Sequence, residues 1–359
     1  MSSEDTIYMA QAIKLAEKGR YTTDPNPRVG CVLVKDNKVI AEGWHVKAGL
    51  GHAEVNALKQ LDNAKDATAY VTLEPCSHTG KTGPCCDALI AAGVVRVVVA
   101  MQDPNPLVAG QGIKRIRDAG IEVECGVLQQ ESESLNKGFI KRMATGLPFV
   151  RSKMAMSLDG RTAMASGESQ WITSPASRAD VQLLRAESSV VLTGINTVLD
   201  DDPSLNVRLD GVVQPIRVIL DSELKIPLES KMLGLDGETW VLTCSSDQQK
   251  IANAENAGYK VFQLKSDKGR LDLKAVMIFL GQKQVNNVLV EAGTILNGAL
   301  LDAEVVDEWV VYMAPCVLGD QGRGLFHLPE LQKMADKKQL NMKAVRQVGP
   351  DLKLTFTIK

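Results

Sequence analysis

The sequence has no block rich in lysine or arginine. Its 41 basic residues are balanced by 43 acidic ones, so the formal net charge at pH 7 is −2. A protein that binds a polyanion gains affinity by neutralising phosphates, and it usually carries a basic face for that purpose. The charge balance therefore argues against nucleic acid as a partner and favours a small-molecule substrate.

The sequence also lacks any segment that would place it in a membrane or direct it to secretion. No uncharged apolar run approaches the roughly 20 residues that a membrane-spanning helix needs. The acidic start, Met1 to Asp5, has neither the basic nor the apolar region of a signal peptide. The seven cysteines are scattered and do not form a small disulfide framework. We therefore expect a cytoplasmic protein with reduced thiols and no membrane partner.

Apolar strand patterns alternate with amphipathic helix patterns over 359 residues, a length sufficient for two domains. In the first half they predict a sheet covered by helices on both faces, followed by one charged helix over residues 129–145. Gly146-Leu147-Pro148 ends that helix, so the predicted domains are residues 1–147 and 148–359. In the second domain the strand and helix patterns restart, which predicts another α/β fold.

Two short stretches of the first half carry its chemistry. His52-Ala53-Glu54 is followed by Pro75-Cys76 and then by Cys85, the order found in zinc deaminases that act on nucleobases. One imidazole and two thiolates hold zinc tetrahedrally and leave a fourth position for water, whose pKa the metal lowers. Glu54 follows the first ligand without being one itself, which makes it the candidate for general acid and base. The pattern therefore predicts zinc at His52, Cys76 and Cys85, and a catalytic Glu54.

Each of these residues also has a simpler interpretation when it is taken alone. His52 can be a buried histidine, Glu54 can be a helix-opening carboxylate favoured by the helix dipole, and the cysteines can be inert core residues. The complete set in this order favours the metal site. Cys86 adds a neighbouring thiol, so chemistry alone leaves the choice between Cys85 and Cys86 open.

The two cysteines are separated by eight residues, Ser77 to Pro84, where deaminases of nucleic acids and cytidine usually have two. With this insertion, HAE and EPCSHTGKTGPC resemble the deaminase half of the bifunctional riboflavin-biosynthesis enzymes, the diaminohydroxyphosphoribosylaminopyrimidine deaminase/5-amino-6-(5-phosphoribosylamino)uracil reductases. The resemblance implies a cytidine-deaminase-like three-layer α/β/α domain and selects Cys85 as the second thiolate ligand. The family more often has Arg-Thr-Pro-Pro at residues 81–84, where this chain has Lys-Thr-Gly-Pro and thus keeps a cation.

The tetrapeptide Asp-Pro-Asn-Pro occurs at residues 24–27 and again at 103–106. Both copies are typical of turns. In the resembling family both loops reach the deaminase pocket. The resemblance therefore implies five substrate contacts, in these loops and in the insertion: Asn26, His78, Lys81, Asp103 and Asn105. Lys81 is the candidate for the phosphate, because an ammonium suits a dianion as a point charge.

The second half is harder to assign from its residues alone. It has no G-x-G-x-x-G after its first strand, so a standard Rossmann dinucleotide site is not indicated. An apolar strand does lead through Glu291-Ala292-Gly293 into a helix, and backbone N–H groups at such a junction can receive a phosphate. The same junction is often only a tight turn, so these residues alone leave the ligand open.

Five motifs of this half resemble the reductase half of the same enzyme family: SLDGRT at 157–162, GESQWIT at 167–173, TGINT at 193–197, DDPSL at 201–205 with Arg208, and EAG at 291–293. The resemblance implies a dihydrofolate-reductase-like α/β domain that uses NADPH. It implies NADPH contacts at Ala155, Trp171, Thr197, Asp201, Ser222, Gly293, Thr294, Ile295, Leu296, Asn297, Gly298 and Ala299. It implies substrate contacts at Ser169, Arg185, Leu205, Arg208 and Glu291. Two arginines suit a ribose phosphate, although alone Trp171 can be a core residue and Arg185 a solvated one.

We therefore predict a bifunctional enzyme of riboflavin biosynthesis that binds one zinc ion and NADPH. The first domain would deaminate 2,5-diamino-6-ribosylamino-4(3H)-pyrimidinone 5′-phosphate. The second would reduce the ribosyl group to give 5-amino-6-ribitylaminouracil 5′-phosphate. No residue of the second half stands out as its general acid; Asp201 is the nearest candidate.

Two alternatives remain open. One is a zinc deaminase of another nucleotide with a non-catalytic second domain, against which the motifs in both halves count. The other is an inactive oligomeric scaffold, against which the intact zinc motif counts. We also expect a homo-oligomer, a dimer or a tetramer. The alternating run Glu308 to Met313 is either a subunit contact or, as we favour, a core strand.

Overall fold

The computed structural model describes residues 3–77, 83–106, 108–267 and 269–358. The chain divides into two compact units, Met1–Gly146 and Leu147–Lys359. Each unit is described by itself below. Among the helices of the described residues, none is long and apolar enough to cross a membrane.

The first unit begins with a helix and continues through a β-hairpin into alternating helices and strands. Its elements are α1 (Ser3–Glu17), β1 (Gly30–Lys35), β2 (Lys38–Trp44), α2 (Ala53–Leu58), β3 (Thr68–Val71), α3 (Cys85–Ala91), β4 (Arg96–Val99), α4 (Gln111–Asp118), β5 (Glu122–Cys125), α5 (Gln129–Leu135) and α6 (Lys137–Thr145). Within the described residues the strands form one sheet in the order β2-β1-β3-β4-β5. Strand β1 is antiparallel to both of its neighbours, whereas β3, β4 and β5 are parallel.

The alternation of side chains along β1 explains why helices cover both faces of this sheet. Cys31 and Leu33 pack on the face that carries α2, α3 and α4. Val32 and Val34 point to the opposite face, where they pack against apolar residues of α1 such as Met9. The predicted cytidine-deaminase-like three-layer fold is therefore confirmed.

Helix α2 lies directly on β2. A Cβ atom at Gly43 would lie only 2.2 Å from the backbone oxygen of Ala53, so the close approach requires glycine. The side-chain amide of Asn56 donates a hydrogen bond to the backbone oxygen of Trp44 at 2.9 Å. These contacts fix the first turn of α2, which follows His52, against the sheet.

The prediction of a single helix over residues 129–145 is wrong, because the chain leaves the helical conformation at Asn136, between α5 and α6. Asn136 has φ −120° and ψ 23°. Its side chain accepts a hydrogen bond from the backbone N–H of Arg28 at 2.8 Å and donates one to the backbone oxygen of Arg28 at 3.0 Å. The Arg28 guanidinium in turn donates to the backbone oxygen of Leu135 at 2.5 Å. The hydrogen bonds between Asn136 and the backbone of Arg28 thus interrupt the helix between α5 and α6.

The second unit is a larger sheet with helices on both faces. Its strands are β6 (Phe149–Ser157), β7 (Arg161–Ala163), β8 (Val190–Gly194), β9 (Ile216–Leu220), β10 (Thr239–Thr243), β11 (Lys260–Gln263), β12 (Ser266–Asp267), β13 (Arg270–Leu271), β14 (Asn287–Glu291), β15 (Glu308–Ala314), β16 (Arg323–Gly324), β17 (Leu340–Val348) and β18 (Asp351–Ile358). Its helices are α7 (Pro175–Ala186), α8 (Ile195–Asp201), α9 (Gln248–Asn256), α10 (Leu273–Gln282) and α11 (Thr294–Asp302), with short 3₁₀ helices at Lys231–Gly234 and Met334–Asp336.

The main sheet of this unit has the order β11-β10-β9-β8-β14-β6-β15-β18-β17 within the described residues. The strands that come before β18 in this order are all parallel to one another. Strands β18 and β17 add two antiparallel strands at one edge. In β8, Val190 and Leu192 pack on one face and Val191 packs on the other. The predicted second α/β domain is confirmed.

Ser174 followed by Pro175 predicts a helix start, and helix α7 begins there. The Ser174 side chain accepts a hydrogen bond from the backbone N–H of Ser177, and Pro175 occupies the first helical position. Its apolar side packs on the sheet through Val181 and Leu184.

Strand β15 contains the alternating run Glu308 to Met313. It lies between β6 and β18 and pairs with both. Trp309, Val310 and Tyr312 are buried within the chain itself. Core burial therefore accounts for this run, and the subunit-contact hypothesis for it is wrong.

Candidate active sites

Three side chains of the first unit converge on one point. His52 is the residue before α2, Cys76 follows strand β3, and Cys85 is the first residue of α3. One ligand atom from each lies within 4.8 Å of the other two, and this is the only such group of His, Cys, Asp and Glu among the described residues. The His52 Nδ1 atom lies 3.2 Å from Cys85 Sγ and 3.6 Å from Cys76 Sγ. Two helix starts and one strand end thus bring together the residues that the motif predicts.

The electrostatics of this cluster suit a bound cation. The pKa of the Cys76 thiol is lowered to about 4, because the Cys85 thiol and His52 donate hydrogen bonds to it and the Cys85 backbone N–H adds another. The pKa of Cys85 is raised, since its proton is shared with Cys76 and the thiol is buried. Two neighbouring sulfurs beside an imidazole are a donor set that zinc can occupy.

Glu54 lies beside this cluster but outside the ligand group. It sits in the first turn of α2 and is 3% exposed. Burial raises the pKa of its carboxyl group to about 7, with the nearby Cys76 acting in the same direction. Burial is therefore the main reason that this carboxyl group can exchange protons near neutral pH.

His45 links the loop at 24–27 to the cluster, and sequence reasoning missed it. Its Nδ1 atom lies 3.1 Å from the backbone oxygen of Gly51, and its ring meets the His52 ring edge-on at 5.5 Å. Burial lowers the pKa of His45, so the ring is neutral. Because a carbonyl oxygen only accepts, Nδ1 carries the proton and Nε2 accepts from Asn26 Nδ2 at 3.1 Å. The side-chain oxygen of Asn26 takes no part in this hydrogen bond.

Of the other predicted deaminase contacts, Asp103 and Asn105 lie in the loop that follows β4. The Asp103 carboxylate accepts a hydrogen bond from the backbone N–H of Asn105 at 2.8 Å. His78 and Lys81 lie outside the described residues.

The structure distinguishes the two adjacent cysteines. Cys86 points into the core of the first unit, where it is fully buried. Burial and the neighbouring Asp87 raise the pKa of its thiol to about 11. Among the described residues, only Cys85 of this pair belongs to the ligand group.

In the second unit, the predicted cofactor residues cluster at one edge of the sheet. The predicted cofactor residue Ala155 lies near the carboxyl end of β6, and the predicted substrate contact Glu291 lies at the carboxyl end of the parallel strand β14. Ligands bind at such ends in open α/β sheets. Two buried atoms there, Oγ1 of Thr193 and Oδ1 of Asp221, have no hydrogen-bond partner among the described residues. This edge therefore offers hydrogen-bonding capacity that the protein itself does not use.

Helices and loops bring further predicted residues to this edge. Thr197 and Asp201 lie on α8, directly after β8. Burial and the neighbouring Asp200 raise the pKa of Asp201. Ser222 follows β9, and its hydroxyl accepts a hydrogen bond from the Leu271 backbone N–H at 3.1 Å.

Helix α11 follows β14 and begins after Gly293. Its predicted NADPH residues differ in their exposure to solvent. Thr294 and Ile295 are partly or well exposed in the first turn. Asn297 is buried, and its side-chain amide forms hydrogen bonds within the protein. It accepts one from the Ser152 hydroxyl and donates one to the backbone oxygen of Ala292. The remaining members of the predicted set are half-buried or buried, Leu296, Gly298 and Ala299.

Arg185 and Glu291, both predicted substrate contacts, bind each other. The guanidinium and the carboxylate form two hydrogen bonds, at 2.5 and 3.0 Å, and the two side chains are only 12% and 13% exposed. Lys153, which sequence reasoning missed, lies on β6 in register with Glu291. Burial lowers the pKa of Lys153, although the attraction of Glu291 opposes this. Two cations thus neighbour one carboxylate at the sheet edge.

The other predicted substrate contacts surround this group less tightly. Arg208 is exposed and attracts Glu291 electrostatically, and its backbone N–H donates to the Gln182 side chain at 2.9 Å. Leu205 is buried. Ser169 is half-buried in the loop between β7 and α7, and Trp171 in the same loop is 69% exposed. Trp171 is therefore not a core residue.

Comparison with known proteins assigns both units. Residues 148–354 match the family described as RibD C-terminal domain, and residues 2–101 match the cytidine and deoxycytidylate deaminase zinc-binding region. The riboflavin biosynthesis protein RibD of Escherichia coli K12 is 52% identical, with 97% of this chain and 98% of that protein covered. The Haemophilus influenzae RibD is 50% identical, with 100% and 98% covered. This chain belongs to the RibD family.

Solved structures of RibD proteins resemble the whole chain. Acinetobacter baumannii RibD is 46% identical with a TM-score of 0.92, and 99% of each chain is covered. The Thermotoga maritima diaminohydroxyphosphoribosylaminopyrimidine deaminase/5-amino-6-(5-phosphoribosylamino)uracil reductase is 33% identical with a TM-score of 0.88, again with 99% of each chain covered. Membership of the RibD family confirms the predicted fold and the bifunctional deaminase and reductase of riboflavin biosynthesis, with zinc and NADPH as cofactors. The alternative with a non-catalytic second domain is not favoured.

Proposed function

We propose that His52, Cys76 and Cys85 hold the zinc ion and that Glu54 is the proton carrier of the deaminase. The observation that supports this assignment is that the three ligand atoms lie within 4.8 Å of one another, with Glu54 buried next to them. The substrate of the proposal is 2,5-diamino-6-ribosylamino-4(3H)-pyrimidinone 5′-phosphate. Zinc, when it is bound, supplies a Lewis acid that activates water.

Glu54 performs the proton transfers. A carboxyl group with a pKa of about 7 can take a proton from the attacking water and then give one to the leaving amine, which departs as ammonia. Its place in the first turn of α2, two residues after His52, keeps it beside the reacting centre.

Asn26, Asp103 and Asn105 bind the pyrimidine in this proposal. The neutral His45 holds the Asn26 amide by its nitrogen, which leaves the Asn26 oxygen to accept a hydrogen bond from the substrate. His78 and Lys81 complete the proposed set, with Lys81 binding the phosphate as a point charge.

In the reductase, NADPH supplies the hydride that reduces the ribosyl group. Its proposed contacts, at the carboxyl edge of the sheet, are Ala155, Trp171, Thr197, Asp201, Ser222 and the segment from Gly293 to Ala299. For the substrate we propose direct contacts from Ser169, Leu205, Arg208 and Glu291, and an indirect role for Arg185 through Glu291. Because the Arg185 guanidinium is already paired, its role is to keep Glu291 ionised and oriented, and the exposed Arg208 is the better phosphate partner.

The experiment that tests the deaminase assignment measures ammonia release and NADPH oxidation in parallel. Glu54→Gln should lower ammonia release by about 10²- to 10⁴-fold, the usual contribution of general acid–base catalysis, while zinc stays bound. The same variant should oxidise NADPH at the wild-type rate when it is given the deaminated intermediate. Ammonia release that survives in a zinc-loaded Glu54→Gln protein would disprove the role of Glu54.

Assembly into a dimer or a tetramer is also part of the proposal. The edge strand β17 supports it, because Met342 and Val345 are exposed there at 58% and 54% and an unpaired edge can add a strand from another chain. Sedimentation equilibrium at the assay concentration tests it, and a monomer at that concentration would contradict it.

A further inference from the structure

Glu74 is a buried carboxylate that lies two residues before the proposed zinc ligand Cys76, and it is 3% exposed. The chain after β4, residues 101–106 and 108–113, is called the Asp103 loop here. Both carboxylate oxygens of Glu74 are occupied by backbone N–H groups of this loop. Oε2 accepts from Asp103 at 3.1 Å and from Gly110 at 2.9 Å. Oε1 accepts from Gly112 at 2.9 Å and from Ile113 at 3.1 Å.

The four donors come from both ends of the loop. Gly112 and Ile113 lie in the first turn of α4, whose N–H groups have no partner within the helix. The negative charge of Glu74 is also favourable at this positive end of the helix dipole. The other end of the loop is fixed as well, since the Glu74 backbone N–H donates to the backbone oxygen of Met101 at 3.0 Å.

Helix α4 lies so close to the chain that leads to Cys76 that no side chain fits at residue 112. A Cβ atom at Gly112 would lie 2.0 Å from the backbone oxygen of Pro75. Helix α4 therefore rests directly on the peptide that joins Glu74 to the ligand segment. The glycine thus permits the close approach at which Gly112 and Ile113 reach Glu74 with their backbone N–H groups.

We propose that Glu74 is a positioning residue of the deaminase, which holds Asp103 and Asn105 at a fixed place relative to Cys76. The inference rests on the proposed function, in which those two residues bind the substrate. Asp103 receives its position directly, through its own N–H bond to Glu74. Asn105 receives it through the hydrogen bond from its N–H to the Asp103 carboxylate at 2.8 Å. Because both of its carboxylate oxygens bind the loop, Glu74 acts through Asp103 and Asn105.

The variant Glu74→Gln keeps the size of the side chain and changes only the groups with which it forms hydrogen bonds. A carboxylate offers two acceptor oxygens, whereas an amide offers one oxygen and an NH₂ group that can only donate. In the variant, two of the four backbone N–H groups would face another donor. The loop must then shift, and a displacement of about 1 Å in a substrate-binding group can cost up to roughly 100-fold in rate.

Asp5→Asn is the matched control. Asp5 is a buried carboxylate of the same unit, 2% exposed, that binds Arg96 at 2.6 Å and Tyr70 at 3.1 Å instead of a substrate loop. Both variants replace a buried charge by its amide, so both should lower the melting temperature. Only Glu74→Gln should change substrate binding.

The test uses the full chain and measures four properties: zinc content, the absorption spectrum of the cobalt-substituted protein, deaminase kcat and KM, and NADPH oxidation with the deaminated intermediate. We expect Glu74→Gln to lower the deaminase kcat/KM about ten- to hundredfold, chiefly through a raised KM, with zinc content, cobalt spectrum and NADPH oxidation unchanged. Asp5→Asn should keep the wild-type KM. Should Glu74→Gln fail to fold, Glu74→Asp, which keeps the charge but is shorter, is measured with the same expectation.

Three results would overturn the proposal: an unchanged KM in the Glu74 variant, an altered cobalt spectrum, or an equal rise of KM in Asp5→Asn. Asn105→Ala tests the underlying substrate contact separately. A wild-type KM in that variant would show that the proposed contact is wrong, whatever Glu74 does. A raised KM in Asn105→Ala, together with an unchanged KM in Glu74→Gln, would leave the contact standing and refute the positioning role.

Discussion

Arg185 on α7 and Glu291 at the end of β14 are 106 residues apart in the sequence and form a two-bonded ion pair at the edge of the reductase sheet. The pair is nearly buried, so each charge has given up most of its hydration. Such a pair is stabilising only relative to a state in which one charge is left alone. The two hydrogen bonds also fix the orientation of the Glu291 carboxylate.

Replacing Glu291 by glutamine should therefore destabilise the second unit and remove its activity. The variant leaves the Arg185 guanidinium buried without a counter-charge, which costs about 3 kcal/mol in the free energy of unfolding. Urea unfolding followed by hydrogen exchange of the α7 and β14 amides measures this cost. NADPH oxidation with the deaminated intermediate should fall, while ammonia release stays at the wild-type rate.

Glu308→Gln is the control for that variant. Glu308 forms another largely buried ion pair of the same sheet, with Arg151 at 2.5 Å, but it is not a proposed substrate contact. A loss of stability is expected here too, smaller because Glu187 remains 3.7 Å from the Arg151 guanidinium, with NADPH oxidation per folded molecule retained. Equal loss of activity in the two variants would mean that Glu291 matters only for folding.

The same ion pair should make the second unit sensitive to acid. Burial alone would raise the pKa of Glu291, but the charge and hydrogen bonds of Arg185, together with the charges of Lys153 and Arg208, outweigh burial and hold this pKa below its usual range. The unfolded chain then binds a proton, near pH ~4.3, before the folded chain does. The contribution of the pair is therefore complete above that pH and is lost as the pH falls through the folded-state pKa.

We accordingly expect the stability difference between wild type and Glu291→Gln to be large at pH ~7 and to shrink towards pH ~3. Urea unfolding of both proteins across this range measures it. Other acid-sensitive groups, such as Asp180, are present in both proteins and cancel in the difference. A difference that stays constant with pH would show that the ion pair does not depress the pKa of Glu291.

Local sequence signals predicted much of the fold, because they depend on neighbouring residues. The Ser174-Pro175 start of α7 and the apolar strands β4 and β14 are examples, since capping, fixed φ and burial all act over a few residues. The edge strand β17 received no such prediction. Most of its side chains are exposed, so it lacks the apolar alternation by which a half-buried strand is recognised.

The parts of the sites that the sequence did not predict depend on contacts between distant segments. Asn136 lies in a polar run typical of a helix, and only its pairing with Arg28 shows why the helix ends there. Glu74 and His45 have no sequence signal that separates them from ordinary buried residues. Likewise, the resemblance implies substrate contacts at Arg185 and Glu291, whereas strand register and helix packing bring the two side chains together as an ion pair.

The two adjacent cysteines should respond differently to substitution. Cys85→Ser removes a sulfur of the metal-binding group and should abolish stoichiometric zinc binding. Ammonia release should fall by more than the roughly 10- to 100-fold typical of the loss of a group that only supports a ligand. Cys86→Ser places a hydroxyl in the core and should lower stability while zinc stays bound. Metal analysis of the purified variants decides between them, and retention of zinc by Cys85→Ser would show that the ligand assignment is wrong.

Asn136→Ala should destabilise the first unit, because it removes both hydrogen bonds to the Arg28 backbone. Loss of the partner of a buried polar group costs about 1–3 kcal/mol. Because Arg28 closely follows Asn26, the deaminase KM should also rise. Ser134→Ala on α5 is the control; its exposed hydroxyl donates to the backbone oxygen of Gln130, and we expect a change within about 0.5 kcal/mol. Urea unfolding and ammonia-release kinetics measure both effects, and equal stability of the two variants would show that the Asn136 pairing contributes nothing to the fold.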